Sequence, residues 1–296
     1  MKGGRHPVGT GRRAALLVLA AALVAGCSAF EAKRSVAAAP YYPRAEAPVS
    51  TASVAPRPPP ARPVRRTSEL ANPVAVAAKQ PRKTVGCWAV VRPLRTRALA
   101  FAAVVRTRAR VHVTPGGESL ARYDRLNANG VPTVFGVLGQ ANCGGRWLRV
   151  QVPSRPNGVL AWVRARDVQL VRVHTRIEVD LSARRVTLYR SGRELIAATA
   201  AVGATDTPTP TGSFYVNQRL VPSHPGGPFG PGAIGVSAFS PVLQDWIQGG
   251  PIAIHGTNRP DLLGGAVSHG CVRIRNDLLV RMFRLAVAGT PVVIRA

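Results

Sequence analysis

The chain has 296 residues, room for about two domains plus tails, and a hydrophobic fraction of 46% that can supply at least one real core. Its net charge is +27, from 40 basic and 13 acidic residues. So basic a balance suggests nucleic acid, but no zinc-finger spacing, basic zipper or aromatic RNA-binding signature accompanies it, and nucleic acid is not an expected partner. Anionic lipids and polymers answer the same long-range attraction, and a GC-rich genome alone yields arginine-rich chains, so charge does not choose the partner.

In chain order, Lys2, Arg5, Arg12 and Arg13 precede an apolar run from Ala14 to Ala25 that ends in Gly26-Cys27. Twelve apolar residues span about 18 Å as a helix, short of the ~30 Å hydrocarbon core. A charged start, a short apolar middle and small residues at the end describe an export signal over residues 1–27. Val24-Ala25-Gly26-Cys27 resembles the lipobox of bacterial lipoproteins, which implies lipidation of Cys27 and a membrane anchor; a plain cleavable signal is the alternative. Residues 28–84 are Ala, Pro, Arg and Ser, including Pro56-Arg57-Pro58-Pro59-Pro60, and carry no apolar periodicity. They read as a disordered, partly polyproline II tether.

From Gly86 to Val173 the texture changes. Val104–Val113 alternates arginine with apolar residues before the turn Pro115-Gly116-Gly117. Val131–Leu138 leads to Asn142-Cys143-Gly144-Gly145, and Trp147–Val152 alternates before a Pro153–Gly158 loop. Val159–Val163 and Asp167–Leu170 close the segment. Short strands between Gly/Pro turns predict a small β-barrel or sandwich over 86–173. The order WLRVQVP, loop, VLAWVRARDVQL resembles bacterial SH3-like domains. Trp147 and Trp162 are either a binding platform or buried barrel residues.

Residues 174–296 are β-rich as well. Arg176–Leu181 and Val186–Tyr189 flank Ser182-Ala183-Arg184-Arg185 as a hairpin. Leu195–Val202, Gly212–Val216 and Ile252–Ile254 are further strands, and His224–Gly235 reads as a Gly/Pro loop. Asn276–Ala288 has helical spacing, with Leu278, Met282 and Leu285 on one face, Asn276 or Asp277 as cap, and Gly289 and Pro291 as its end. Val292–Ile294 is the last strand.

The chemistry concentrates in IAIHGTNRPDLLGGAVSHGCVRIRND. His255 ends a strand, and Ser268-His269-Gly270-Cys271 precedes the alternating Val272-Arg273-Ile274-Arg275. An imidazole beside a cysteine can lower its pKa or take its proton, and Gly270 permits a sharp turn that aims amide N–H groups at an oxyanion. HGTN followed by SHGCVR, with Thr207–Tyr215 and the His224–Gly235 loop upstream, resembles the L,D-transpeptidase (YkuD-like) catalytic domain over roughly residues 175–296. That resemblance implies a mainly β chain: a β-sandwich with one packed helix, preceded by the SH3-like barrel.

The implied roles follow residue by residue. Cys271 is the expected nucleophile, a low-pKa thiolate forming an acyl-enzyme, and His255 the base, titrating near the histidine range. The carbonyl of Gly256 is expected to orient the ring, and the amides of His269 and Gly270 to face the oxyanion. Arg273 and Ser268 are the expected substrate contacts. With Cys27 lipidated and Cys271 reactive, Cys87 and Cys143 remain as a disulfide pair in an exported protein, or as two buried thiols. No CxxC or HxxxH spacing supplies a metal site, and no nucleotide or flavin motif implies a cofactor. The implied partners are peptidoglycan stem peptides, at a lipid-anchored location in the cell envelope. Three functions remain open: a transpeptidase, a carboxypeptidase or related peptidoglycan hydrolase on the same fold, and a wall-binding scaffold with vestigial catalysis.

Overall fold

The computed structural model describes residues 86–144 and 146–296; the expected signal, Cys27 and the whole 28–84 tether lie outside the described residues. Mainly β structure results, with seventeen strands and one α-helix among the described residues.

Eight strands form a first sheet: β1 Arg92–Pro93, β2 Ala100–Val105, β3 Arg108–His112, β4 Ser119–Asp124, β5 Val134–Asn142, β6 Arg146–Gln151, β7 Leu160–Arg164 and β8 Val168–Val173. Their order is β4-β3-β7-β6-β5-β2-β8, with β1 on β5. The period-2 alternation read in the sequence buries Ala109 and Val111 of β3, Leu148 and Val150 of β6, and Ala161 and Val163 of β7 in one core around Phe135. Cys87 and Cys143 form a disulfide with Cα atoms 5.5 Å apart. Cys143 and Val91 pack on Trp147 and Trp162, which are 6% and 3% exposed. Those indoles are therefore core residues rather than a platform. Arg164 and Arg149 lie over their faces at 5.3 and 5.9 Å.

Nine strands form the second sheet: β9 Thr175–Asp180, β10 Arg185–Arg190, β11 Arg193–Gly203, β12 Gly212–Leu220, β13 Ala233–Phe239, β14 Pro251–His255, β15 Ala266–Ser268, β16 Val272–Ile274 and β17 Pro291–Arg295. The order β10-β9-β17-β12-β13-β14-β16-β11-β15 is closed by an added β10–β11 pairing. Helix α1, Asn276–Leu285, buries Leu279 and Met282 against this core.

The two sheets meet through buried polar contacts as well as apolar ones. Tyr215 of β12 is 1% exposed and donates its hydroxyl hydrogen to the Val134 carbonyl at 3.0 Å. Gln151 Nε2 donates to the Ser213 carbonyl, and Gln218 Oε1 accepts from both Asn127 and Asn129 at 2.9 Å. Gly136 lets the Tyr215 ring lie against the β5 backbone, since a Cβ there would sit 2.8 Å from Tyr215 Cγ.

Several elements depart from the sequence reading. The Val104–Val113 run is two strands broken at Arg106-Thr107, because β2 pairs with β5 and β8 while β3 pairs with β4 and β7. The end of the Gly/Pro loop is already strand: β13 starts at Ala233 and is buried along six of its seven residues, so no alternation marks it. Helix α1 stops at Leu285, and its N-cap is Arg275 rather than Asn276 or Asp277. The Asn276 side-chain Oδ1 instead accepts from the Thr257 amide at 2.8 Å, tying the helix start to the turn after His255.

Candidate active site

Strands β14 and β16 lie side by side and parallel, with Ile254 opposite Val272 and His255 opposite Arg273. Side chains two apart on a strand share a face, so this register puts His255 and Ala253 on the same side as Arg273 and Cys271. Ile252, Ile254, Val272 and Ile274 take the other side and are fully buried in the core. The apolar positions of both strands thus anchor them, and the intervening positions present the reactive groups.

His255 is 4% exposed, and its Nδ1 lies 2.6 Å from the Gly256 carbonyl oxygen. With that carbonyl as acceptor, Nδ1 carries the hydrogen and Nε2 keeps the lone pair. Phe229 packs on the ring at a centroid distance of 4.8 Å. Burial pulls His255 down from 6.5 to about 4; the Gly256 contact opposes this and the Arg273 charge adds to it. The ring is therefore neutral at neutral pH.

Cys271 is partly exposed and is the free cysteine of the described residues. Its sulfur lies 3.9 Å from the Pro251 carbonyl. Burial pushes the thiol up, against the weaker downward pull of the Ala253 backbone and the Arg273 charge. Where a resting thiolate was expected, this face of the two strands holds a neutral thiol and a neutral imidazole. The expected titration in the ordinary histidine range likewise moves down to about 4.

The turn that delivers the cysteine is braced from behind. Gly270 has φ +106°, a conformation that a side chain would strain. Ser268, expected as a substrate contact, is 1% exposed; its hydroxyl donates to the Cys271 carbonyl and accepts from the Gly270 amide at 3.2 Å. Its hydrogen bonds are thus used inside the turn, as is the Gly270 amide expected at the oxyanion. Thr207 Oγ1 donates to the Ser268 carbonyl at 3.0 Å and Thr209 Oγ1 to the Gly270 carbonyl at 2.9 Å. These threonines had no assigned role in the sequence; the signal was their alternation with proline in Thr207-Pro208-Thr209, which keeps both side chains on one side. His269 is exposed, its ring 5.5 Å from that of Trp246. Trp246 and Phe229 were not singled out, because their contacts cross the fold. Arg273 holds a buried Nε without a hydrogen-bond partner on the face shared with Cys271.

The arrangement can therefore carry nucleophilic acyl transfer, with a thiol, an oriented imidazole and a cation on one face. Residues 174–294 match the family model YkuD, the L,D-transpeptidase catalytic domain. A Bacillus subtilis (strain 168) protein named "Putative L,D-transpeptidase YkuD" is 37% identical over 118 residues, 40% of this chain and 64% of the relative. "Putative L,D-transpeptidase YqjB" of the same organism is 35% identical over 104 residues, 32% of this chain and 56% of the relative. The chain thus spans about three-fifths of the length of these curated relatives. A crystal structure of an Enterococcus faecium L,D-transpeptidase mutant is 26% identical, covers 41% of this chain and 49% of that one, and has a TM-score of 0.32. Sequence motif, family model and relatives all support an L,D-transpeptidase catalytic domain in this segment.

Proposed function

We propose that the protein is a peptidoglycan L,D-transpeptidase working at the cell envelope, exported by residues 1–27, anchored through lipid on Cys27 and spaced from the membrane by residues 28–84. In this reading residues 86–173 are an SH3-like domain and residues 174–296 the catalytic domain. The observation that carries the reaction is the pairing of Cys271 and His255 on one face of adjoining strands, with Nδ1 of the histidine held by the Gly256 carbonyl.

The Cys271 sulfur bonds to the carbonyl carbon of the last peptide bond in a tetrapeptide stem. His255 Nε2 takes the thiol proton as the bond forms and gives it to the nitrogen of the departing D-alanine, leaving a thioester. The side-chain amine of a second stem then attacks the thioester, loses a proton to His255, and the thiol is restored. Thiol and imidazole both rest neutral, so the proton passes from sulfur to His255 in the course of acylation. The amides of His269 and Cys271 are the donors for the oxyanion, and Arg273 pairs with a stem carboxylate.

The test is mass spectrometry of purified full-length protein with tetrapeptide stem, with and without acceptor stem. A cross-linked dimer with loss of one D-alanine is expected, and Cys271→Ser should form neither dimer nor acyl-enzyme while keeping its fold. Release of trimmed stem without any dimer would replace the transpeptidase by a hydrolase, and cross-linking by folded Cys271→Ser would overturn the mechanism.

A further inference from the structure

Residues 240–250 link β13 to β14, and so run from an interior strand to its neighbour, the strand that carries His255. The loop closes on itself at its neck, where the Ser240 amide donates to the Gly250 carbonyl at 2.8 Å. Ser240 Oγ accepts from the Leu243 amide, and the Gly249 amide donates to the Trp246 carbonyl. At the far end Trp246 rests against His269, two residues before the nucleophile; at the near end the Pro251 carbonyl meets the Cys271 sulfur. Trp246 and Val242 are 43% and 50% exposed, so the loop offers an apolar surface beside the thiol.

What grips this neck comes from the first sheet. Arg155, in the turn between β6 and β7, donates from Nη2 to the Ser240 carbonyl at 2.7 Å and to the Gly249 carbonyl at 2.6 Å. One guanidinium thus bridges both stems of the loop, and it lies 5.5 Å from the centroid of the Phe239 ring. Asn157 forms a reciprocal pair with Phe239, donating to its carbonyl at 2.8 Å and accepting from its amide at 2.9 Å. Asn129 and Gln248 exchange side-chain hydrogen bonds further along. Gln248, Gly249 and Gly250 have φ of 61°, 75° and 64°, so the stem that Arg155 holds is a run of left-handed residues with little intrinsic preference for this path.

We propose that Arg155 is a positioning residue of the active site: it clips the neck of the 240–250 loop, holds Trp246 against His269 and so builds one wall of the stem-peptide cleft beside Cys271. The first sheet then has a direct part in substrate binding through the catalytic segment. This rests on the transpeptidase reading for the identity of the peptide, but not for the clip itself.

The experiment compares full-length wild type with Arg155→Ala and with Arg155→Met, which keeps an apolar stem over Phe239 without the donors. Amide exchange across 242–250 should quicken by about tenfold or more in both variants, with β14 and β16 unchanged. Trp246 emission, isolated against Trp246→Phe, should shift in both variants as the indole leaves the His269 ring. With stem tetrapeptide, KM should rise about tenfold and kcat stay within about threefold, while alkylation of Cys271 by iodoacetamide keeps its wild-type rate. Unchanged exchange and unchanged Trp246 emission in both variants would overturn the clip, as would equal slowing of alkylation and acylation. A wild type that does not turn over the stem peptide would sink the transpeptidase reading, and exchange and emission would still decide the clip.

Discussion

Acidifying the protein from pH 7 to pH 4.5 should destabilise it through His255. This side chain is 4% exposed and neutral when folded, with its pKa lowered from 6.5 to about 4. Below pH 6.5 the unfolded chain takes up a proton that the folded chain refuses, so stability rises with pH between about 4 and 6.5 and is flat above that window. The full difference corresponds to roughly 3 kcal/mol, of which about 2.5 kcal/mol is lost by pH 4.5. Asp180, Asp261 and Asp277 are held below the ordinary carboxylate range by their partners, and their contributions vanish only at lower pH. The assay is urea unfolding at half-unit pH steps from 7.5 to 4.5, for wild type and for His255→Gln, a neutral side chain able to donate to the Gly256 carbonyl. Wild type should lose about 2–3 kcal/mol more than the variant across this window. Parallel curves would refute the reasoning, since the loss would then belong to other groups. The same burial places the acidic limb of the rate profile near 4, so acyl transfer should survive at pH 5 if the protein stays folded.

Gly270→Ala should cost about 1–3 kcal/mol, because φ +106° is strained for any Cβ and this one would sit 3.1 Å from Ile252 Cδ1; thermal unfolding measures it, and an unchanged midpoint would remove the backbone argument. Cys87→Ser should add one alkylatable thiol, at Cys143, and lower stability by up to about 4 kcal/mol, from a loop closed over a separation of 56 residues. Alkylation counted by mass under denaturing, non-reducing conditions checks the first, and urea unfolding the second. Tyr215→Phe should destabilise by about 1–3 kcal/mol, leaving the buried Val134 carbonyl without its donor at the junction of the sheets; calorimetry with a midpoint equal to wild type would show that water replaces it.

Local patterning made much of this molecule legible from its residues alone. Period-2 alternation is a backbone property, so β6, β7, β9 and β10 were visible within a residue or two, as was the start of the amphipathic stretch that became α1. The cysteine and histidine of the candidate site were visible too, and the His255 Nδ1 contact is with the carbonyl of Gly256, the residue after it. Strand β13 was hidden because it is buried on both faces and has no alternation to display.

The tertiary structure alone decided what depends on contacts between distant segments. The parallel register of β14 and β16 puts the thiol and imidazole on one face; neither strand's own sequence specifies its partner. Burial, a property of the surrounding fold, drove His255 down and Cys271 up, which turned an expected thiolate into a neutral pair. The braces from Thr207 and Thr209 span 61 residues each, and the grip of Arg155 on the 240–250 loop spans 85 and 94. Hydrogen bonds over such separations are set by how whole sheets pack, and no local pattern in the chain encodes them.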